Sequence, residues 1–312
     1  MTTIVVPDDF PSALSGTPAE AQLRALGNVE IFTERGANEE SELIRRIGGA
    51  RAALNIRAYS KFNARVIAAC PNLQLISVWG TGTDNIDLAA CAARNVKVTN
   101  TPGVNANAVA EHTIALMLAV TRRIPAMDTA VRAGEWPRGL LTQLEGRTLG
   151  LLGLGAIGAR VAKLAAPFGM RLLVATSGPD NGRAAALGAT HVPVDELLRE
   201  ADIVSVHMRL TADTNNFLDA RRIALMRPNS FLINTARAAL VDRTAMIEAL
   251  TFGRIAGAGL DVFHQEPIAA DDALLSLPNV VLTPHDSGMT AEVIEVGLRR
   301  AVENVQHFLL AR

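Results

Sequence analysis

A chain of 312 residues exceeds the usual size of one hydrophobic core, so two domains are expected. Its 49% hydrophobic and 20% charged residues belong to a folded protein rather than a disordered one. With 30 basic against 31 acidic side chains the net charge is -1, which withholds the sequence-independent attraction a nucleic-acid binder needs. Met1 to Phe10 has no basic flank followed by an apolar core, so no secretory signal is expected. The apolar run Thr113–Val120 stops before Arg122-Arg123, far short of a bilayer about 30 Å thick, so no membrane partner is expected either. Cys70 and Cys91 stand in no metal-ligand or redox spacing and read as buried thiols of a cytoplasmic protein without a metal site.

In chain order, short β-branched runs alternate with longer amphipathic ones, the pattern of parallel sheets covered by helices. The first third offers strands at Thr3–Val6, Val29–Phe32, Ala53–Arg57, Leu75–Val78 and Val96–Thr99, with helices at Glu40–Ile47 and Ala64–Ala69. Gly103–Val120 carries Ala110, Ile114, Met117 and Leu118 at helical spacing. The less regular Arg122–Gly146, with Pro125, Gly134, Trp136, Pro137 and Gly139, reads as an arm or linker. A second series of strands follows at Leu149–Leu152, Arg171–Ala175, Ile203–Val206, Phe231–Asn234, Gly257–Leu260 and Val280–Thr283. Six strands with helices between them fit a doubly wound dinucleotide fold. Ala291–Leu310 closes the chain as an amphipathic helix.

Gly153-Leu154-Gly155-Ala156-Ile157-Gly158 falls between a strand and a helix with Ile157, Val161, Leu164 and Phe168 on one face. A lone GxGxxG is weak, but this context makes it informative. Gly153 permits the turn, Gly155 lets backbone approach a pyrophosphate, and Gly158 lets helix and strand pack closely. An acid about 20 residues on, at the end of the second strand, would bind the ribose 2′-hydroxyl of NAD. Here that strand ends in Thr176-Ser177-Gly178, and the first acid is Asp180. Without the carboxylate a 2′-phosphate is no longer repelled. Arg183 either pairs with that phosphate or merely begins the next helix. The cofactor expectation is NAD(P), leaning to NADP, with Thr176, Ser177 and Arg183 around the ribose.

Three apolar strands run into polar loops: Phe231-Leu232-Ile233-Asn234-Thr235-Ala236-Arg237, Gly257 to Pro267 with Asp261 and Glu266, and Val281-Leu282-Thr283-Pro284-His285. Together with the glycine loop and Ser77–Asp87, these segments resemble the signatures of the D-isomer-specific 2-hydroxyacid dehydrogenases over nearly the whole chain. The resemblance implies hydride transfer between NAD(P)H and a small 2-keto acid of the glyoxylate or hydroxypyruvate kind, yielding the D-2-hydroxy acid. His285 would be the acid in reduction and the base in oxidation. Glu266 would hydrogen-bond His285, orient its ring and favour the imidazolium. Arg237 would clamp the substrate carboxylate and polarise the carbonyl with its planar fork. The N–H groups of Thr81 and Gly82, in the loop beginning at Trp79, would bind that carboxylate. Ala156 and Ile157 would lie over the pyrophosphate, Thr235 beside Arg237, and Asp261 on the nicotinamide carboxamide.

Glu266 argues against formate oxidation, because the resembling formate enzymes carry Gln there. Arg209 stands where the family usually has proline, and Asp286-Ser287 where small or apolar residues are commoner. His112, His191, His264 and His307 read as packing or surface residues, and His207 as structural. The implied architecture is two doubly wound parallel-sheet α/β domains with a cleft between them, a flavodoxin-like substrate domain (1–99 plus 286–312) and a Rossmann cofactor domain (100–285). The arm Arg122–Gly146 resembles the family's dimerisation element, so a homodimer is expected. The alternative function is a nicotinamide-sensing binding protein or corepressor without turnover.

Overall fold

The computed structural model describes residues 3–176, 178, 180 and 182–311, which fall into two compact units. One unit comprises Met1–Asn105 with Met289–Arg312, and the other Ala106–Gly288.

The first unit is a five-stranded parallel sheet of β1 (Thr3–Val6), β2 (Asn28–Ile31), β3 (Ala52–Asn55), β4 (Leu75–Val78) and β5 (Lys97–Thr99), in the order β2-β1-β3-β4-β5. Four helices intervene: α1 (Pro18–Arg24), α2 (Glu40–Ile47), α3 (Ala64–Ala69) and α4 (Leu88–Ala93). Caps set their starts: the side chains of Thr17, Asn63 and Asp87 accept N–H groups of the first turns of α1, α3 and α4. This is the flavodoxin-like strand order. The central strands β3 and β4 are buried along their whole length, as a sheet covered on both faces requires.

The second unit begins with α5 (Ala106–Thr121) and α6 (Ile124–Arg132). Its sheet then builds through β6 (Thr148–Leu152), α7 (Ala156–Ala165), β7 (Arg171–Ala175), β8 (Ala189–His191), α8 (Val194–Glu200) and β9 (Ile203–Val206). It continues with α9 (Ala220–Ile223), β10 (Phe231–Asn234), α10 (Arg243–Thr251), β11 (Gly257–Leu260) and β12 (Val280–Leu282). All seven strands are parallel, in the order β12-β11-β10-β9-β6-β7-β8. Phe231 and Ile233 of β10 pack with α5 and α7, whereas Leu232 packs with α8 and α10 on the other face. This is the Rossmann order extended by one strand, with the reversal of strand order between β6 and β9. Two expectations are corrected. The second sheet has a seventh strand, β8, whose three residues are too few to show a period. The segment expected to be irregular contains the nine-residue helix α6.

The chain ends in α11 (Ala291–Leu310), whose Leu298, Ala301, Val302 and Val305 return to the core of the first unit. No helix among the described residues is long and apolar enough to cross a membrane.

Candidate active site

At the switch point, the loop after β6 carries the three glycines. Gly153 has φ +102°, and a Cβ there would lie 2.7 Å from the His207 carbonyl oxygen at the end of β9. A Cβ on Gly158 would sit 2.3 Å from the Gly153 carbonyl oxygen, so the strand and α7 meet only because both residues lack side chains. Gly155 differs: a Cβ there would meet nothing within 4 Å, and Gly155 and Ala156 are exposed. Gly155 is also the N-cap of α7 and offers no side chain to its first-turn N–H groups. A helix start left open in this way, with its positive dipole end toward solvent, suits a pyrophosphate. The residues present therefore fit a dinucleotide, with Gly155, Ala156 and Ile157 as the backbone that would hold it. His207 supports this loop from below. Its Nε2 lies 2.8 Å from Ser205 Oγ, and burial pushes its imidazole down to about 4, so it is neutral at physiological pH.

Beyond β7, Thr176 Oγ1 donates to the Gly178 carbonyl and lies 3.3 Å from His191 Nε2. Asp180 accepts the Ala184 N–H, capping the turn that follows. Arg183 donates from Nη2 to the Leu154 carbonyl, which places its guanidinium against the glycine loop. Ser177, expected beside the ribose, lies outside the described residues.

At the other end of the same sheet three loops converge. The buried Asn234 accepts the Ala236 N–H at 3.0 Å and donates to the Arg237 carbonyl at 2.9 Å, closing the turn that presents Arg237. Arg237 Nη1 donates to the Ala236 carbonyl at 2.8 Å. Thr235 lies 2.9 Å from Thr113 on α5; Thr113 already donates to the Val109 carbonyl, so Thr235 is the donor. His285 Nδ1 is 2.8 Å from Glu266 Oε2, and Glu266 Oε1 accepts the Phe263 N–H at 3.0 Å. The two side chains are 28% and 34% exposed, so the pair is accessible without being fully hydrated. Burial alone would push the Glu266 carboxyl up. The His285 hydrogen bond and charge, the Phe263 N–H and the Arg237 guanidinium outweigh it and hold the carboxyl below its ordinary value. A carboxylate on Nδ1 leaves Nε2 as the ring atom that can give or take a proton.

His285 itself has φ 55°, an uncommon conformation for a residue with a side chain. The fully buried Asp261 holds it there: Oδ1 accepts Thr283 Oγ1 at 2.6 Å and the Asp286 N–H at 3.2 Å, while Oδ2 accepts the Ser287 N–H at 3.2 Å. His112, on α5, joins this group through Nε2, 2.9 Å from Thr283 Oγ1 and 3.7 Å from Asp261 Oδ1. His112, read from the sequence as a packing or surface residue, is half-buried and bonded to this loop. His112, Asp261 and Asp286 bring ligand-capable atoms within 4.8 Å of one another, yet Asp261 is already committed to the loop on both oxygens.

In the first unit, the loop after β4 has its carbonyls turned one way. Gly80 O accepts the Thr101 N–H at 2.9 Å and Thr81 O accepts Asn100 Nδ2 at 2.8 Å. In a trans peptide C=O and N–H are opposed, so the Thr81 and Gly82 N–H groups face away from residues 100–101. The indole of Trp79, at the start of this loop, packs on α11, where a Cβ on Gly297 would lie 2.1 Å from Nε1.

A parallel sheet with an open glycine loop at its switch point, and a histidine–carboxylate pair with an arginine on neighbouring strand ends, defines a dinucleotide-dependent oxidoreductase. A sequence model described as D-isomer specific 2-hydroxyacid dehydrogenase, NAD binding domain, matches residues 114–287. The chain belongs to that family. It is 37% identical over 286 residues to a glyoxylate reductase of Korarchaeum cryptofilum, covering 90% of this chain and 86% of that one. Among solved structures it resembles an acyclic imino acid reductase in complex with NADPH and D-Arg, at 30% identity and TM-score 0.88, over 99% of this chain and 98% of that one. It also resembles the D-lactate dehydrogenase of Aquifex aeolicus complexed with NAD and lactic acid, at 28% identity and TM-score 0.87, over 99% and 96%.

Proposed function

We propose that the protein reduces a small 2-keto acid of the glyoxylate or hydroxypyruvate kind to its D-2-hydroxy acid, and catalyses the reverse oxidation, with NADPH preferred to NADH. The observation that carries this reading is the 2.8 Å pair of His285 and Glu266, with the Arg237 charge felt at the same carboxylate. The reduced nicotinamide supplies the hydride. Arg237 binds the substrate carboxylate and draws charge toward the carbonyl oxygen with two donors at once. His285 gives its Nε2 proton to that oxygen as negative charge develops, and the ring left behind keeps Nδ1–H on Glu266. Glu266 thereby holds the hydrogen on Nδ1 and fixes the plane of the ring. In oxidation the same Nε2 takes the hydroxyl proton. The first unit, whose Thr81 and Gly82 N–H groups face away from residues 100–101, is the substrate-binding domain, and residues 106–288 are the cofactor domain. Thr235 would stand beside the nicotinamide, and Asp261, its carboxylate fully buried and held by Thr283 and the Asp286 and Ser287 N–H groups, would act there only through the loop it ties.

The cofactor preference rests on the end of β7. Thr176 leaves no carboxylate to repel a 2′-phosphate, Asp180 is occupied in capping its own turn, and Arg183 lies against the glycine loop. The arm supports a homodimer: α6 buries none of its residues, and Trp136 and Leu140 are 74% and 103% exposed. Leu140→Glu with Trp136→Ser is expected to yield a monomer by light scattering, and an unchanged mass would remove the arm from the interface.

The deciding experiment is loss of reduced-nicotinamide absorbance with a panel of 2-keto acids, run with NADH and NADPH in parallel. If every acid stays silent while cofactor binds, the enzyme reading fails and a sensing or corepressor role takes its place. A strong NADH preference overturns the cofactor assignment alone.

A further inference from the structure

Helix α5 lies over β11 in a fixed register. A Cβ on Gly257 would be 3.1 Å from Val120 Cγ2, and one on Gly259 would be 3.0 Å from Leu116 Cβ. Two residues along a strand advance about 6.6 Å on one face, and four along a helix advance about 6 Å on one face. Strand positions 257, 259 and 261 therefore meet helix positions 120, 116 and 112 in reverse order. The third pair is Asp261 with His112, 3.7 Å apart. The two glycines bring the helix close enough for an imidazole to reach a carboxylate at the strand end.

The hydrogens in this group can be assigned. Thr283 has one hydroxyl proton, and the carboxylate of Asp261, 2.6 Å away, can only accept it. Thr283 Oγ1 must then accept from His112, so Nε2 carries a proton whatever the charge of the ring. We propose that His112 is a positioning residue for the reaction: through Thr283 and Asp261 it fixes the backbone of residues 285–287, and with it the place of the His285 ring. Asp261 holds two successive N–H groups of that segment, and His285 between them and Thr283 keeps its positive φ only while the loop is tied. His112 donates to the hydroxyl that orients Asp261 and offers its ring edge to a carboxylate that is otherwise fully buried. It touches no reacting atom and acts through the loop.

The inference rests on His285 being the acid, so the tests separate the two. His112→Ala is expected to lower kcat about tenfold, with NADPH affinity changed less than about threefold. Hydrogen exchange at the Asp286 and Ser287 amides should become faster. His112→Gln keeps a donor near the Nε2 position and should restore kcat and amide protection to within about threefold of the parent. Thr283→Val should match His112→Ala, the double variant should be no worse than either single one, and Thr283→Ser should be near the parent. Failure of Gln to rescue would make the effect one of packing and overturn the inference. So would additive losses in the double variant, unchanged exchange at Asp286 and Ser287, or an unchanged kcat in His112→Ala while His285→Ala is dead. Retained turnover in His285→Ala would instead refute the acid assignment, and the exchange measurement, which needs no turnover, would still decide on His112.

Discussion

The two ends of the seven-stranded sheet are built differently. After β10, β11 and β12, buried or half-buried side chains hold the loops: Asn234 closes the turn to Arg237, Asp261 ties residues 283–287, and Glu266 fixes the His285 ring. After β7 and β8, Thr176 and His191 are 3.3 Å apart near solvent, and Arg183 reaches across to a single carbonyl. Where a proton must be passed, small errors of placement cost rate, and several independent bonds fix each group. Where a phosphate is to be told from a hydroxyl, one charge suffices. Substitutions at the first end should therefore change turnover, and those at the second should change which cofactor is used.

The largest break expected is His285→Ala, which should lower kcat by about 10²- to 10⁴-fold while NADPH titration by fluorescence stays near the parent. Next comes Gly155→Val. Its side chain enters the open space before α7 without meeting protein, so the melting temperature should hold while cofactor affinity falls at least about tenfold. Loss of folding instead would show that the space is not reserved for a ligand. Glu266→Gln should cost about ten- to a hundredfold in kcat, less than loss of the histidine, because a neutral amide still orients the ring.

The same substitution has a signature in stability. The Glu266 carboxyl is held below its ordinary value, so the folded protein binds that proton less readily than the unfolded chain. Its contribution is complete above the unfolded value of about 4.3 and is lost as pH falls through the lower folded value. Melting curves of the parent and Glu266→Gln should thus converge as pH falls below about 4, and a constant gap would show that the ion pair adds nothing. Thr176→Asp should have the smallest effect on the rate itself, shifting kcat/KM toward NADH by about tenfold or more through repulsion of the 2′-phosphate. An unchanged cofactor ratio would place the selection elsewhere.

Much of this was legible in the sequence because each strand of the active end is a β-branched or glycine-containing run that stops at a polar residue. Phe231–Asn234 and Gly257–Leu260 occur as strands with the bounds the sequence implies, and Ala291–Leu310 as a helix likewise. What escaped was carried by pairs distant in the chain. β8 is a strand only because β7 offers it a ladder. Asn234 and Thr283 read as ordinary strand-end polars until Arg237 and Asp261 are seen beside them. His112, a lone histidine on an apolar helix, has no local sign of its role. The one clue is numerical: Val120, Leu116 and His112 step by four where Gly257, Gly259 and Asp261 step by two.

That matching of steps also bears on how the chain can change in length. Inserting one residue in α5 between His112 and Leu116 would turn the histidine about 100° around the helix axis, away from Asp261. No rotamer could bring it back. The glycine-bearing strand tolerates a shift no better, since one residue's slip exchanges its two faces. Within its own chain, the exposed stretch from Trp136 to Leu141 packs in no such register. A change of length there should leave the fold of the single chain intact and be read in the oligomeric state, while α5 and β11 keep their residue count as a matched pair.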